Sequence, residues 1–416
     1  MLETMQYQFN YHEPNPPSLS SLPSLQSVSS LTSRQHHYFL STTNYHCVTT
    51  LKGHTAYISS LTLAGKFLFS GSSDKEIRSW KRNPQDSEFQ DHDQNLCITV
   101  GKGAVKSLVV LSDKLFSAHQ DHKIRVWKIS NQEPDQQKYT HVATLPTLGD
   151  RASKILLPKN HVQIRRHKTC TWVHHVDTVS ALALSKDESL LYSVSWDRTL
   201  KIWRTSDFKC LESITNAHDD AINAVAISND GDVYTGSADR KIKIWRKNSS
   251  EKKHYLVTTL ERHNSGVNAL ALSTDGSILY SGACDRSIVV WEKVDYDGGG
   301  DGGGRGDGDG DGDGRGDGDG MVVLGALRGH TQSILCLIVV SDLVCSGSAD
   351  KTIRVWRGDY NKNYYCLAVL EGHKGPVKCL TATIDHQDLS DSSYLIYSGS
   401  LDCDIKVWQL NVPILL

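Results

Sequence analysis

Serine, histidine and aspartate recur together in this 416-residue chain at fixed spacings. These are the residue types of a hydrolytic triad, in which histidine activates a serine nucleophile and aspartate orients the histidine. Each aspartate stands six residues before a tryptophan, and a serine or threonine stands four residues before each aspartate. Six of the seven sets also have an upstream histidine, four residues before a valine or isoleucine, whereas the second set has Gly101 there.

The sets contain the same four residue types throughout. The histidines are His54, His175, His218, His263, His330 and His373. The hydroxyl residues are Ser70, Ser117, Ser193, Thr235, Ser281, Ser346 and Ser398. The aspartates are Asp74, Asp121, Asp197, Asp239, Asp285, Asp350 and Asp402. The tryptophans are Trp80, Trp127, Trp203, Trp245, Trp291, Trp356 and Trp408. Because an enzyme needs one nucleophile in one cleft, sevenfold repetition predicts a structural role. We therefore expect no enzyme, no catalytic residue, no cofactor and no metal.

Short β-strands account for the sequence around these sets. Runs such as KIKIW and TIRVW alternate apolar and polar residues, as half-buried strands do. SADR and similar pieces are turn formers, because aspartate can hydrogen-bond its own backbone. Upstream runs such as VSALALS are more continuously apolar, which favours a strand buried on both faces. Each repeat therefore predicts about four short strands that neighbouring repeats help to bury.

The repeated pattern, from FSGSSDKEIRSW at Trp80 to YSGSLDCDIKVW at Trp408, resembles the WD40 repeat. Seven copies imply an all-β fold, a seven-bladed WD40 β-propeller over residues 45–410. In that family each repeat supplies the outer strand of one blade and the inner three of the next. Residues 45–51 would then be an N-terminal outer strand that closes the last blade. The resemblance also implies a buried hydrogen-bond chain of histidine, serine, aspartate and tryptophan, which should be least rigid in the second blade.

Unequal spacing between tryptophans predicts two excursions from the repeat. Ordinary repeats run about 40–45 residues, but Trp127 and Trp203 are 76 positions apart and Trp291 and Trp356 are 65 apart. The second excursion is a Gly/Asp tract, which we predict to be a flexible acidic loop over residues 295–320. Its DGDGDG lacks the closing glutamate of a calcium loop.

The first excursion is a basic insertion over about residues 128–166, and it leaves two questions open. Either KYTHVATL or the HKTCTW run is the outer strand of the second blade, and the spacing to His175 favours the latter. The cluster of Arg165, Arg166 and Lys168 is either a docking surface or a solvated hairpin whose charges keep a strand edge from pairing.

The same stretch narrows the resemblance. PKNHVQIRRHK, followed by SVSWDRTLKIWRTSDFKCLESITNAHDDAINAVAIS, resembles the plant WD40 proteins called JINGUBANG-like. This implies a non-enzymatic scaffold in the cytoplasm, the nucleus or both, which binds regulators or transcription factors in plant signalling or transcriptional regulation. The alternative is a substrate receptor of a ubiquitin ligase, although these repeats lack the WDxR ending that adaptor binding usually shows.

Charge and composition bound the remaining possibilities. The formal charge of −2 is a sum over unlike parts, since residues 297–320 hold 8 Asp and 2 Arg while the rest holds 43 basic and 39 acidic residues. We expect a monomeric ring, no direct nucleic-acid binding and no membrane span. Residues 1–44, with four prolines and nine serines, predict a disordered tail with candidate phosphorylation sites. Residues 411–416 predict a short C-terminal tail.

Partner contacts are predicted on the face formed by the loops leading into the innermost strands and the turns bearing the aspartates. Trp196 is the leading candidate, because aromatic side chains dominate interface energetics. Tyr57 and His119 are further candidates on this face. The alternative for Trp196 is packing on a neighbouring blade. The residues at the same position in the other repeats are Ser73, Gln120, Ala238, Cys284, Ala349 and Leu401.

Overall fold

Seven four-stranded antiparallel sheets form the blades of a β-propeller in a computed structural model of the protein. The structure describes residues 28–32, 43–82, 95–100, 102–133, 136–155, 161–165, 168–248, 250, 253–294, 320–385 and 392–412. The first strand, β1 (Asn44–Leu51), belongs to the last blade, and blade 1 starts with the second strand. The predicted all-β, seven-bladed fold is confirmed.

Blades 1 to 3 follow in chain order, each running from its innermost to its outermost strand. Blade 1 consists of β2 (Ile58–Ala64), β3 (Phe67–Ser72), β4 (Glu76–Lys81) and β5 (Asn95–Val100). Blade 2 consists of β6 (Val105–Leu111), β7 (Lys114–His119), β8 (Ile124–Glu133) and β9 (Gln136–Leu145). Helix α1 (Leu148–Ile155) and the strands β10 (His161–Arg165) and β11 (Lys168–Thr171) come next. Blade 3 consists of β12 (Val179–Leu184), β13 (Leu190–Ser195), β14 (Leu200–Arg204) and β15 (Cys210–Ile214).

The remaining four blades complete the ring. Blade 4 consists of β16 (Ile222–Ile227), β17 (Val233–Ser237), β18 (Lys241–Lys247) and β19 (His254–Glu261). Blade 5 consists of β20 (Val267–Leu272), β21 (Ile278–Ala283), β22 (Ile288–Val294) and β23 (Gly320–Leu327). Blade 6 consists of β24 (Ile334–Val340), β25 (Leu343–Ser348), β26 (Ile353–Gly358) and β27 (Tyr364–Leu370). Blade 7 consists of β28 (Val377–Asp385), β29 (Ser392–Ser400), β30 (Ile405–Val412) and β1.

The two ends of the propeller are joined in blade 7. Strand β1 pairs antiparallel with β30, from Asn44 opposite Asn411 to Leu51 opposite Ile405. The predicted closure by an N-terminal outer strand is therefore confirmed. Closure covers the outer edge of β30 and gives the last blade the same four strands as the others.

The apolar core is divided among the junctions between blades. The described residues form seven hydrophobic clusters, and each cluster spans two adjacent blades. At the first junction, Phe69 and Ile77 of blade 1 pack with Leu115 and Trp127 of blade 2. A blade therefore buries its apolar faces only against its neighbours, as expected of a repeat protein.

The outer strand of blade 2 differs from the expectation. Strand β9, which contains KYTHVATL, pairs with β8 from Ile124 opposite Leu145 to Glu133 opposite Gln136. The preference for HKTCTW was wrong, because Lys168–Thr171 pairs with β10 in a separate two-stranded sheet. Spacing misled because the extra residues lie after the outer strand, between Leu145 and His175, rather than before it.

Other expected segments have mixed outcomes. Residues 28–32 are an exception to the expected disordered tail, since they bridge to strands of blades 5 and 6. Asn411 and Val412 belong to β30 rather than to the expected C-terminal tail at 411–416, and Gly320 begins β23 rather than ending the expected loop at 295–320. Residues 1–27, 33–42, 295–319 and 413–416 lie outside the described residues. Among the described helices, none has the length and apolar character needed to cross a bilayer.

Candidate partner-binding face

Each blade holds a chain of hydrogen bonds around one buried hydroxyl oxygen. The indole N–H of the repeat tryptophan donates to this oxygen at 2.8–3.0 Å in all seven blades. In six blades Nε2 of the upstream histidine lies 2.8 Å from the same oxygen. Its Nδ1 lies 2.7–3.1 Å from the repeat aspartate. Because a carboxylate only accepts, Nδ1 donates to it and Nε2 accepts the hydroxyl proton.

Burial makes this chain structural rather than reactive. The seven hydroxyl residues are 0% exposed, so no substrate reaches an oxygen that already bonds indole and imidazole. Burial lowers the pKa of His54, and this outweighs the opposing effect of Asp74. Burial raises the pKa of Asp239, but hydrogen bonds from His218 and from backbone N–H groups lower it overall, to about 2. Such a satisfied polar network fixes one arrangement of a blade.

Blade 2 completes its chain with a histidine from another position. His119 is 0% exposed, and its Nε2 lies 2.8 Å from Ser117 Oγ, the oxygen that accepts the Trp127 indole N–H. The expectation that His119 lies on the exposed face was therefore wrong, because its side chain is buried in the blade. The expectation of least rigidity in blade 2 rested on a missing histidine, and blade 2 does have one in its hydrogen-bond chain.

The aspartate of blade 2 is used differently as a consequence. Nδ1 of His119 lies 3.1 Å from the Gly103 carbonyl oxygen, not from Asp121. Asp121 pairs instead with the Arg125 guanidinium, through contacts at 2.5 and 3.1 Å. Burial, followed by the nearby charge of Arg125, lowers the pKa of His119 to about 4. His119 is therefore neutral, and its Nδ1 donates to the Gly103 carbonyl while its Nε2 accepts the Ser117 hydroxyl proton.

One group of possible metal ligands occurs among the described residues. His54, Asp74 and Glu76 place their ligand atoms within 4.8 Å of one another. Both ring nitrogens of His54 already bond, to Asp74 and to Ser70, and Oε2 of Glu76 accepts from Arg78 at 2.8 Å. This group is thus the hydrogen-bond chain of blade 1 with a neighbouring ion pair.

The face predicted from loops and turns is formed by all seven blades. In each blade the residue before the aspartate donates its backbone N–H to the loop that leads into the innermost strand, at 2.8–3.0 Å. In blade 3 this bond joins Trp196 to the Thr178 carbonyl. The turns and the inter-blade loops therefore lie side by side, and we call the surface that they form the top face.

Two residues predicted on the top face are joined there by a lysine. Lys106 Nζ donates to the Tyr57 hydroxyl oxygen at 2.9 Å. The same atom lies 5.5 Å from the Tyr57 ring centroid and 5.7 Å from the Trp196 ring centroid, within cation–π range. The three residues come from blades 1, 2 and 3, and we call them the aromatic–lysine cluster. Trp196 remains 38% exposed, so its ring contacts the neighbouring blade through Lys106 and still presents surface to solvent.

Lys106 also sets the electrostatics of the cluster. Burial raises the pKa of Tyr57, but the charge and hydrogen bond of Lys106 outweigh it, and the pKa is lowered overall. The sequence did not single out Lys106, yet its position in the repeat is a usable signal. In four other blades that position holds a serine or asparagine that bonds to a carbonyl of the next blade. These residues are Ser59, Ser180, Asn223 and Asn268.

Positive charges lie at the turn tips of the top face. The residue directly after the repeat aspartate is basic in five blades and exposed in each of them. All five have positive φ, between 65° and 74°, which turns them outward at the tip of a tight turn. None forms an ion pair within the part of the chain that the structure describes. These residues are Lys75, Arg198, Arg240, Arg286 and Lys351.

The basic insertion leads along the chain into the blade 3 loop of the top face. Arg165 ends β10 and lies opposite Lys168, which begins β11. The side chains of these two residues and all of Arg166 lie outside the described residues. The chain returns from β11 to His175, in the loop that contains Thr178. On the outer side, Oδ2 of Asp150 in α1 accepts the backbone N–H of Cys210 in blade 3 at 2.9 Å.

The fold and the repeated network define this protein as a closed, seven-bladed repeat propeller. Comparison with protein families is consistent with this and more specific. The WD40 family, described as WD domain, G-beta repeat, matches residues 45–81, 167–204, 208–246, 254–292, 321–357 and 364–409. These matches cover more than half of the chain, and the chain belongs to this family. The unmatched repeat is that of blade 2, where His119 replaces the usual histidine.

Curated relatives share the repeats at low identity. An uncharacterized WD repeat-containing protein of Schizosaccharomyces pombe is 25% identical over 284 residues, which are 59% of this chain and 70% of the relative. Protein ROOT INITIATION DEFECTIVE 3 of Arabidopsis thaliana is 27% identical over 222 residues, 50% of this chain. The match spans 45% of that protein's length. WD40 propellers are generally non-catalytic domains that bind other proteins.

Proposed function

We propose that this protein is a protein–protein interaction scaffold that binds partners through its top face, centred on the aromatic–lysine cluster. The cluster is the observation that carries the proposal. It gathers Tyr57, Lys106 and Trp196 from three blades, and it leaves Trp196 38% exposed. Tryptophan and tyrosine are the residue types most enriched among energetically dominant interface positions.

The charge of the top face supports partners with acidic segments. Five exposed basic residues lie at turn tips of the top face, and Lys106 adds a sixth positive charge within the cluster. Exposed acidic residues on this face are Asp177 in the blade 3 loop and Asp219 and Asp220 in the blade 4 loop, where Asp219 lies 3.7 Å from Lys241. Complementary charge steers encounter and selects partners. We place the favoured contact over blades 1 to 3 because the aromatic–lysine cluster lies there.

The resemblance of the chain to JINGUBANG-like proteins supports a finer version of the proposal. On this view the partners are regulators or transcription factors of plant signalling, and the scaffold works in the cytoplasm, the nucleus or both. Arg165, Arg166 and Lys168 supply a second docking surface on the insertion. A ubiquitin-ligase receptor would use the same face, but an adaptor of the ligase would then be among its partners.

Affinity capture with matched variants tests the proposal. Trp196→Ala and Lys106→Glu are compared with Tyr360→Ala, an exposed aromatic between β26 and β27, at the opposite end of strand β26 from the top face. We expect the first two variants to lose a shared set of partners that Tyr360→Ala keeps. Combined reversal of Arg165, Arg166 and Lys168 should remove a different set. If correctly folded Trp196→Ala and Lys106→Glu keep every partner, the proposed site is wrong.

A further inference from the structure

A five-residue segment from the N-terminal region ties the outer strands of blades 5 and 6 together. Residues 28–32, VSSLT, form parallel bridges to Ala326 of β23 and to Tyr364 of β27. The Leu31 N–H donates to the Ala326 carbonyl at 2.9 Å, and the Leu31 carbonyl accepts from the Tyr364 N–H at 3.1 Å. The Ala326 N–H donates to the Ser29 carbonyl at 2.9 Å. The segment thus satisfies backbone groups on the outer edges of both blades.

A glycine makes room for the leucine of this segment. A Cβ atom placed on Gly325 would lie 2.5 Å from Leu31 Cγ and 2.9 Å from the Ser29 carbonyl oxygen. Leu31 packs against the hydrophobic cluster between blades 5 and 6, and Val28 packs against the cluster between blades 4 and 5. Because Gly325 has no side chain, it leaves a small pocket that the Leu31 side chain fills, and we call this the Leu31 pocket.

A hydroxyl group follows the leucine and is bound specifically. Thr32 Oγ1 accepts the Arg328 backbone N–H at 2.9 Å and donates to the Arg328 carbonyl at 3.3 Å. The Arg328 guanidinium donates to the Val28 carbonyl at 3.2 Å. The groove between β23 and β27 therefore binds the backbone of the segment, the side chain of Leu31 and the hydroxyl group of Thr32.

We propose that this groove is a peptide-binding site, held in cis by residues 28–32 and open in trans to an extended partner peptide of the same chemistry. The partner peptide must carry a leucine that fills the Leu31 pocket and a serine or threonine directly after that leucine. In such strand addition, main-chain hydrogen bonds supply affinity, and pockets for individual side chains supply specificity. Because residues 28–32 belong to the same chain as the groove, they occupy it through an intramolecular contact. A partner peptide must compete against that occupancy.

Displacement of the cis segment in the full chain tests the site. Leu31→Asp should release residues 28–32 from the groove, since burying a carboxylate in the apolar Leu31 pocket is unfavourable. The probe is a fluorescent peptide of residues 26–34, QSVSSLTSR, with binding followed by anisotropy. We expect saturable binding to Leu31→Asp that is at least about tenfold tighter than to the unmodified protein. Leu31→Asp combined with Gly325→Val should lose it.

The chain also offers a matched control peptide. Residues 17–25, PSLSSLPSL, repeat the SSL triplet but carry Pro23 where the docked segment has Thr32. This peptide cannot satisfy the Arg328 N–H, so we expect weaker binding to Leu31→Asp. If QSVSSLTSR shows no saturable binding to Leu31→Asp, or binds no more tightly than PSLSSLPSL, the proposal is overturned. If Gly325→Val unfolds the protein, a QSVSSLTSR peptide with aspartate at the leucine position replaces it, and equal binding of that peptide has the same consequence.

Discussion

Nε2 of His119 lies 2.8 Å from Ser117 Oγ, although both residues come from the same strand, β7. Residues two apart on a strand project to the same side, so the imidazole reaches the serine directly. In the other six blades the histidine comes from the inter-blade loop. Blade 2 thus keeps the bond to the buried hydroxyl while its loop contributes no histidine. The polar network constrains each blade through this hydroxyl, whichever element supplies the imidazole.

Truncation of His119 should destabilise the propeller. His119→Ala removes the buried hydrogen bonds of the imidazole to the Ser117 hydroxyl and to the Gly103 carbonyl, which costs about 1–3 kcal/mol in addition to the lost packing. His46→Ala on the exposed side of β1 is the matched control and should change the free energy of unfolding by less than about 0.5 kcal/mol. Urea unfolding measures both. If His119→Ala and His46→Ala have the same free energy of unfolding, the hydrogen bonds of His119 do not stabilise the fold.

The same histidine should make stability depend on pH. Its pKa in the folded protein is lowered from 6.5 to about 4, so the unfolded chain binds the proton more readily. The contribution of neutral His119 to the free energy of unfolding is then complete above about pH 6.5. It is lost as the pH falls towards 4, at up to about 1.4 kcal/mol per pH unit. His119→Gln should unfold with a shallower pH dependence across this window. Parallel stability curves for the two proteins, from urea unfolding between pH 7 and pH 4, would contradict the assignment.

Removal of the lysine charge should raise the pKa of Tyr57. Burial alone favours the neutral phenol, and Lys106 reverses this in the folded protein. In Lys106→Met the opposing charge is gone, so tyrosinate should form at higher pH. Absorbance at about 295 nm follows the titration, and Tyr57→Phe identifies which part of the signal belongs to Tyr57. An unchanged Tyr57 transition in Lys106→Met would mean that the two groups do not interact in solution.

The junction that closes the ring should be sensitive to one added methyl group. A Cβ on Gly399 of blade 7 would lie 2.6 Å from Ile58 Cγ2 of blade 1 and 2.6 Å from Cys379 Sγ. Gly399→Ala should therefore cost about 1–3 kcal/mol through overpacking. Gly149→Ala in α1 is the control, because its nearest neighbouring atom is 3.9 Å away on Thr147. Calorimetry should show a lower Tm only for Gly399→Ala, and similar Tm values for both would contradict the close packing.

Much of this architecture could be predicted from the sequence because it is repeated. Fixed spacing from aspartate to tryptophan identified every blade, and the outer strand at residues 45–51 followed from the offset between repeats and blades. Trp196 was recognisable because the equivalent positions hold smaller or more flexible side chains. Repetition averages out local ambiguity, so a signal too weak in one repeat becomes decisive in seven.

Features that break the repeat were missed for the same reason. His119 occupies a position held by Ser72 or Ser195 in other blades, and a histidine there, in the one repeat without its usual histidine, was the available signal. The outer strand of blade 2 was misplaced because spacing was preferred over the alternation in KYTHVATL. The pairing of Leu31 with β23 and β27 joins residues about 300 positions apart, and no local pattern encodes such a contact.

Hydrogen exchange on a complex with a captured partner tests the central claim most directly. If the top face is the partner-binding surface, backbone amides near Tyr57, Lys106 and Trp196 should become protected on binding. Amides of residues 359–363, at the other end of blade 6, should exchange at an unchanged rate. Protection confined to residues 359–363 or to outer strands, with no change around Trp196, would contradict the account.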